Sequence, residues 1–220
     1  MSVTYEQIKQ NEAVRTYIRK ADESLAALGY TEHSFAHVTR VAETAGKLLE
    51  DLGYPARVVE LSRIAGYLHD IGNLVNRVDH SQSGAVIAFR LMDRLNFPPD
   101  EIAEVVTAIG NHDEGTGVPV SALAAALILA DKSDVRRTRV RNPDPASFDI
   151  HDRVNDSVTS AELMLNDSHT MVHLSLTLDT ARGSVMEFFE IFMNRMILCR
   201  RAAERLGLQF RLSVNGQILL

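Results

Sequence analysis

Apolar residues recur at three- and four-residue intervals through most of the first 140 positions, the spacing of one buried helix face. Thr4 and Gln7 stand at capping-box spacing and predict a helix running toward Arg19, with Gly29 closing the segment after it. Ser34 is placed to cap a helix over Phe35–Leu52, in which Val38, Val41, Ala45, Leu48 and Leu49 form the stripe and Gly53 the stop. Pro55 opens the next helix, through Val58, Val59, Leu61, Ile64 and Leu68, ending near Gly72. Two more are expected at Ser81–Leu95 and Pro98–Ile109, with the Asn96–Pro99 break between them. A long helix is expected over Val120–Val140. Its opening run, ALAAALILA, is apolar on every side and predicts full burial, so Asp131 at the end of the run is no ordinary solvated carboxylate.

The pattern changes after Asn142-Pro143-Asp144-Pro145, the clearest linker in the chain. A short turn-helix around Asp149–Val154 leads into two expected strands, Thr159–Asn166 and Met171–Asp179. In the second, Val172, Leu174, Leu176 and Leu178 alternate with His173, Ser175 and Thr177, the period of a half-buried strand. Asn166-Asp167-Ser168 supplies the turn. An amphipathic helix is expected over Ser184–Leu206, then a third strand over Phe210–Leu219, interrupted or turned at Asn215-Gly216. The fold class is therefore mainly α: a helical body over residues 1–145 and a small β-β-α-β layer over 146–220. The layer is expected to serve packing or self-association rather than chemistry, and His151, His169 and His173 are given no role.

The 220 residues suit one domain with a small appendage, and an apolar content of 45% allows a sizeable core. A net charge of −6 argues against an electrostatic binder of bulk nucleic acid or of an anionic membrane. The polar, mixed-charge start of the chain does not read as a secretory signal, and no apolar run is long enough to span a bilayer. The single cysteine, Cys199, cannot form an intramolecular disulfide and lies in an apolar stripe, where it reads as a small buried hydrophobe. A cytoplasmic location is the expectation.

Chemistry concentrates in an ordered set of histidines and aspartates. His69-Asp70 closes one apolar run, Asp131 closes another, and His37 lies on the preceding expected helix. Two imidazoles and two carboxylates suit a borderline or hard divalent ion such as Zn, Fe, Mn or Co. His80 and His112, each at a helix edge, can extend the set to a second ion, with Asp70 bridging through its two oxygens. His33, one turn before His37, Asn73 and Arg77 after Asp70, and Lys132 and Arg136 after Asp131 are candidates for binding substrate. For the basic run Lys132, Arg136, Arg137, Arg139 and Arg141 the alternative is a solvated helix face with an Asp134–Arg137 pair.

These segments, HVTRVA, GYLHDIGN, those around His80 and His112, and ILADKSD, resemble the HD-domain superfamily of metal-dependent phosphohydrolases over roughly His33–Asp134. The resemblance implies a helical bundle with His37, His69, Asp70 and Asp131 as ligands of one ion and His80 and His112 as ligands of a second, His69 and Asp70 being catalytic. The implied reaction is hydrolysis of a phosphate mono- or diester, with a nucleotide or nucleotide-like small molecule as partner. HDIGN and NHDEGTGVP are also similar to the HD-GYP branch, from which the chain departs at Asn73, Asn111 and Val118. Two rival readings are an HD-fold di-iron oxygenase and a non-catalytic nucleotide-binding signalling module. A homo-oligomer formed through the C-terminal layer is a further expectation.

Overall fold

Thr4 forms the expected capping box with Gln7, but the helix it opens, α1 (Tyr5–Gln10), runs only six residues. Asn11 takes an extended backbone and accepts from Val14 N, so it ends α1 and caps α2 (Glu12–Ala27). An asparagine side chain that competes for backbone N–H groups explains why one expected helix becomes two. The computed structural model describes residues 2–220. The helical body continues with α3 (Phe35–Asp51), α4 (Ala56–Leu68), α5 (His80–Arg94), α6 (Pro99–Gly110) and α7 (Ala122–Ser133).

Helix α7 is the axis of the body. Leu123 through Ala130 are all buried, as the unbroken apolar run requires, with α3, α4 and α6 packed around them. The helix is shorter than its pattern predicts. Asp134 leaves helical geometry (ψ 71°), and the chain passes through a 3-10 turn at Arg137–Arg139. The arginines of the basic run therefore lie on an irregular segment and not on a solvated helix face, while Lys132 is buried in the last turn of α7. Asp134 pairs with His37, Arg40 and Arg136, while Arg137 goes to Asp156, which replaces the expected Asp134–Arg137 pair.

Two glycines set the spacing of the elements that carry the histidines. A Cβ on Gly66 of α4 would stand 2.6 Å from Ala42 Cα of α3, so only glycine allows these backbones to cross at this depth. A Cβ on Gly72 would stand 1.9 Å from the His80 carbonyl oxygen, which locks the 3-10 turn at Ile71–Leu74 against the start of α5.

Beyond Pro145 come α8 (Ile150–Ser157), β1 (Val158–Leu165), β2 (Met171–Leu178), α9 (Val185–Arg205), β3 (Gln209–Val214) and β4 (Gln217–Ile218). The sheet order is β1-β2-β3-β4. β1 and β2 are antiparallel, β2 and β3 are parallel and joined by α9, and β3 and β4 form a hairpin. The hairpin turns at Asn215 (φ 52°) and Gly216 (φ 79°), the left-handed pair a tight two-residue connection needs, so the expected third strand becomes two. Val172, Leu174, Leu176 and Leu178 are buried as their alternation predicts, and Cys199 is buried on α9 with its thiol pushed up to about 12 by burial. The apolar core runs without a break from the helical body into this layer, with α9 packed on both α7 and β3. Among the described residues no helix is long and apolar enough to cross a membrane.

Candidate metal centre

Each of the six expected ligands sits at or near an element boundary, where a side chain can turn into the interior. His37 is in the first turn of α3, which Ser34 caps by accepting from Ala36 N. His69 and Asp70 occupy the junction between α4 and the 3-10 turn. His80 begins α5, His112 lies just past α6, and Asp131 is in the last turn of α7. The tight Gly66 and Gly72 contacts bring these boundaries to one point.

The six donors converge. His37 Nε2 lies 3.3 Å from His69 Nε2 and 3.4 Å from both Asp70 Oδ2 and Asp131 Oδ1. His69 Nε2 is 3.4 Å from Asp70 Oδ2 and 3.6 Å from Asp131 Oδ1. On the other side of Asp70, Oδ1 lies 3.5 Å from His80 Nε2, which is 3.2 Å from His112 Nε2. Asp70 thus presents one oxygen to each group, as a bridging carboxylate does. Ligand bonds of 2.0–2.2 Å in a tetrahedral shell put donors roughly 3.3–3.6 Å apart, the range observed here.

Hydrogen bonding fixes what these atoms can do. His69 Nδ1 donates to Gly66 O at 2.7 Å, His112 Nδ1 to Ile109 O at 2.6 Å and His80 Nδ1 to Arg77 O at 3.1 Å. His37 Nδ1 donates to Asp134 Oδ2 at 2.8 Å. Carbonyl and carboxylate oxygens can only accept, so all four rings carry the proton on Nδ1 and turn a bare Nε2 lone pair inward. Four imidazole lone pairs then face two carboxylates in a buried space, and Asp70 Oδ2 has no hydrogen-bond partner. Acceptors facing acceptors need a cation between them. The residues present therefore fit a divalent ion.

The titration behaviour of the cluster has the same cause. Burial alone would hold His69 neutral, but Asp70 and Asp131 push its pKa up to about 10, so in the metal-free protein a proton takes the Nε2 lone pair that an ion would otherwise engage. Burial also opposes ionisation of Asp70, yet His69 and the neighbouring imidazoles hold it well below the carboxylate range, and Lys132 leads the groups that do the same for Asp131. His112 and His80 go the other way, because burial outweighs what the acids return.

Around the centre lies a cleft of about 330 Å³. His33, Arg77 and Lys132 line it, as their placement in the sequence suggested. His33 Nδ1 donates to Thr31 O at 2.7 Å, which leaves Nε2 as the free acceptor of that ring. Lys132 is buried and forms ion pairs at 2.7 Å with both Asp131 Oδ2 and Glu114 Oε2. Burial works against its charge, but the two carboxylates outweigh it and hold the ammonium above its usual value.

Two residues expected to contact substrate do not line the cleft. Asn73 does not line the cleft; its Nδ2 donates to Asp70 O at 2.9 Å and to Asp70 Oδ1 at 3.0 Å, so it fixes the rotamer of the bridging residue. Arg136 is likewise outside, its donors taken by Asp134 (2.9 Å), Glu32 (2.8 Å) and Thr138 (2.6 Å).

Asp134 was missed as a supporting residue, although its position three residues after Asp131 was a usable signal. Its carboxylate holds the His37 ring in place, and we expect Asp134→Asn to weaken metal affinity about 10- to 100-fold, as loss of such outer partners does. Competition against a chromophoric chelator measures this, and unchanged affinity would reject the role. Sequence reasoning also missed Arg139, Glu114, His151 and Arg195. Glu114, two residues after His112, offered the same kind of signal as Asp134, whereas His151 and Arg195 had no local one, since distant segments deliver them. His151 and Arg195 lie in the layer expected to take no part in chemistry, yet both stand in the cleft wall.

A family profile described as HD domain matches residues 34–136. The chain is 28% identical over 187 residues to MJ1020, an uncharacterized protein of Methanocaldococcus jannaschii, covering 74% of this chain and 71% of that one. It is 36% identical over 107 residues to ribonuclease Y of Lawsonia intracellularis, covering 48% of this chain and 18% of that protein. For ribonuclease Y of aster yellows witches'-broom phytoplasma the identity is 31% over 114 residues, covering 52% and 20%. The chain thus spans only about a fifth of either ribonuclease. A solved structure of a predicted HD superfamily hydrolase from an uncultured Thermotogales bacterium aligns with a TM-score of 0.45 and 26% identity, covering 56% of this chain and 67% of that one. With the matched segment enclosing all six converging donors, residues 34–136 are an HD domain and the chain is an HD-domain protein.

Proposed function

We propose that this protein is a metal-dependent phosphohydrolase acting on a phosphate mono- or diester of nucleotide size. The observation that carries the reading is the convergence of four bare Nε2 lone pairs with Asp70 and Asp131, all Nδ1 protons being held elsewhere. His37, His69, Asp70 and Asp131 would hold one divalent ion, and Asp70, His80 and His112 a second. Such ions supply Lewis acidity and a water activated near neutral pH.

The side chains of the chain do the rest. Asn73 keeps both Asp70 oxygens aimed at their two groups. Lys132 occupies the outer oxygen of Asp131, so that Oδ1 alone faces the centre. His33 offers Nε2 at the cleft, where it can exchange a proton with a leaving group; Lys132 is the other candidate for that role. A cleft of about 330 Å³ and a net charge of −6 favour a small ester over a polymer. The ribonuclease Y relatives bring phosphodiesters within the class.

Metal analysis of the purified protein, followed by a screen of phosphate mono- and diesters, tests the reading. His80→Ala and His112→Ala are each expected to lose about one equivalent of metal and most turnover while keeping the ion at His37 and Asp131. If both variants match the parent in metal content and rate, the centre holds one ion. Oxygen consumption by an iron-loaded protein that hydrolyses no ester would replace the phosphohydrolase reading with the oxygenase one.

A further inference from the structure

Three arginines line the cleft, and among the described residues two of them, Arg77 and Arg139, make no ion pair. Arg139 is only 5% exposed, yet among the described residues no carboxylate lies within ion-pair distance of it. Its Nε donates to Glu32 O at 2.9 Å and its Nη1 to Asp134 O at 2.8 Å, both uncharged backbone acceptors, and Nη2 has no hydrogen bond within the protein. Against burial, Asp134, Asp131 and Asp70 favour its charge from beyond ion-pair distance, and a buried guanidinium whose direct partners are carbonyls alone is costly unless an anion arrives. Burial is the largest influence on it and pulls even this group down.

Two further arginines reach the same cleft from other elements. Arg77, ahead of α5, makes no ion pair; its guanidinium lies 6.0 Å from the centre of the Tyr30 ring, and Nη1 is 3.4 Å from Asn73 Oδ1. Arg195 of α9 lies over Phe192 at 4.5 Å and bonds Glu114 through Nε at 2.8 Å, which leaves both Nη groups free. Asp149 and Asp152 also line the cleft, but they are engaged elsewhere. Asp149 caps α8 by accepting from Asp152 N at 2.8 Å. Asp152 accepts from Asn142 at 3.4 Å, and burial pushes its carboxyl up toward the neutral form.

We propose that Arg77, Arg139 and Arg195 form an anion subsite that takes a second phosphate, so that the substrate is a small molecule carrying two phosphoryl groups. This rests on the phosphohydrolase reading, the first phosphate being the one at the metal centre. Planar forks from three segments suit the oxygens of one tetrahedral anion, and a cleft of about 330 Å³ accommodates a molecule with two such groups. It also gives the C-terminal layer a part in specificity, through Arg195.

The test uses metal-loaded, full-length protein and two probes that cannot be hydrolysed, propane-1,3-diphosphonate and propylphosphonate, titrated calorimetrically. The parent is expected to bind the diphosphonate at least about tenfold more tightly than the monophosphonate. Arg139→Gln and Arg77→Gln are expected to collapse that ratio toward one at unchanged metal content. Arg77 is partly exposed and holds no element in place, so its variant decides the matter if Arg139→Gln fails to fold. A ratio near one in the parent overturns the proposal, and so does a parent-like ratio in the Arg77 variant. Because neither probe turns over, the ratio stands or falls independently of whether phosphate esters are hydrolysed.

Discussion

Asp70→Ala and His69→Ala are each expected to give a helical protein that hydrolyses phosphate esters about 10³-fold more slowly, Asp70→Ala with no stoichiometric metal and His69→Ala without the ion at His37 and Asp131. The magnitude follows from the several kcal/mol that bound ions contribute to phosphoryl transfer, at about 1.4 kcal/mol per factor of ten. His69 and Asp70 each belong to two of the three donor groups, so neither removal leaves an intact set of ligands for both ions. Folding is expected to survive. The Asp70 side chain accepts one hydrogen bond, from Asn73 to Oδ1, and its Oδ2 has none to lose. The ligands act as a unit, so the double variant should be scarcely worse than either single one. A chelator is expected to lower the melting temperature of the parent and to leave Asp70→Ala unmoved, since that variant has no bound ion to lose. Full metal stoichiometry in either variant would remove the site assignment.

How much of this centre was legible in the sequence depends on what each residue needs. The six donors were readable because an unbroken apolar run such as ALAAALILA dictates burial, and a buried Asp131 or His69 must then find a charge partner. Their supporting residues were harder. Asn73 was expected to face substrate and instead holds Asp70, because a short amide inside a 3-10 turn bonds locally before it reaches outward. Arg136 was taken for a phosphate ligand on a helix that ends three residues earlier. The helix stops at Asp134, whose carboxylate is drawn to His37, 97 positions away in the chain. Arg195 and Glu114 form an ion pair across 81 positions, beyond the reach of any local pattern. Strand alternation read the C-terminal sheet well, since period-two burial is local. It could not show that β2 and β3 run parallel, because the α9 crossover between them decides that.

Removing residues 146–220 is expected to unfold the helical body, although every proposed metal ligand remains in the shortened chain. The expected separation of the two segments into a catalytic body and a packing layer meets a continuous core: Phe188, Phe192, Met196 and Leu198 of α9 are buried in the same apolar cluster as Leu123, Leu127 and Leu129 of α7. α7 is apolar on every side, so it has no face suited to water once α9 is gone. Each large side chain left exposed costs about 1.5–3 kcal/mol, so Leu123, Leu127 and Leu129 alone take up a large share of the roughly 5–15 kcal/mol by which a domain of this kind is stable. The centre would suffer as well. Asp131 lies in the last turn of α7, and Arg195 braces Glu114, which in turn pairs with the Lys132 bound to Asp131. The shortened protein is expected to aggregate or to bind a hydrophobic dye without a cooperative melting transition, and to load no metal. The full chain is expected to melt in one transition. A monomeric, cooperatively folded 1–145 fragment that loads metal as the parent does would show instead that the body stands alone, with the layer acting on it only through the cleft wall.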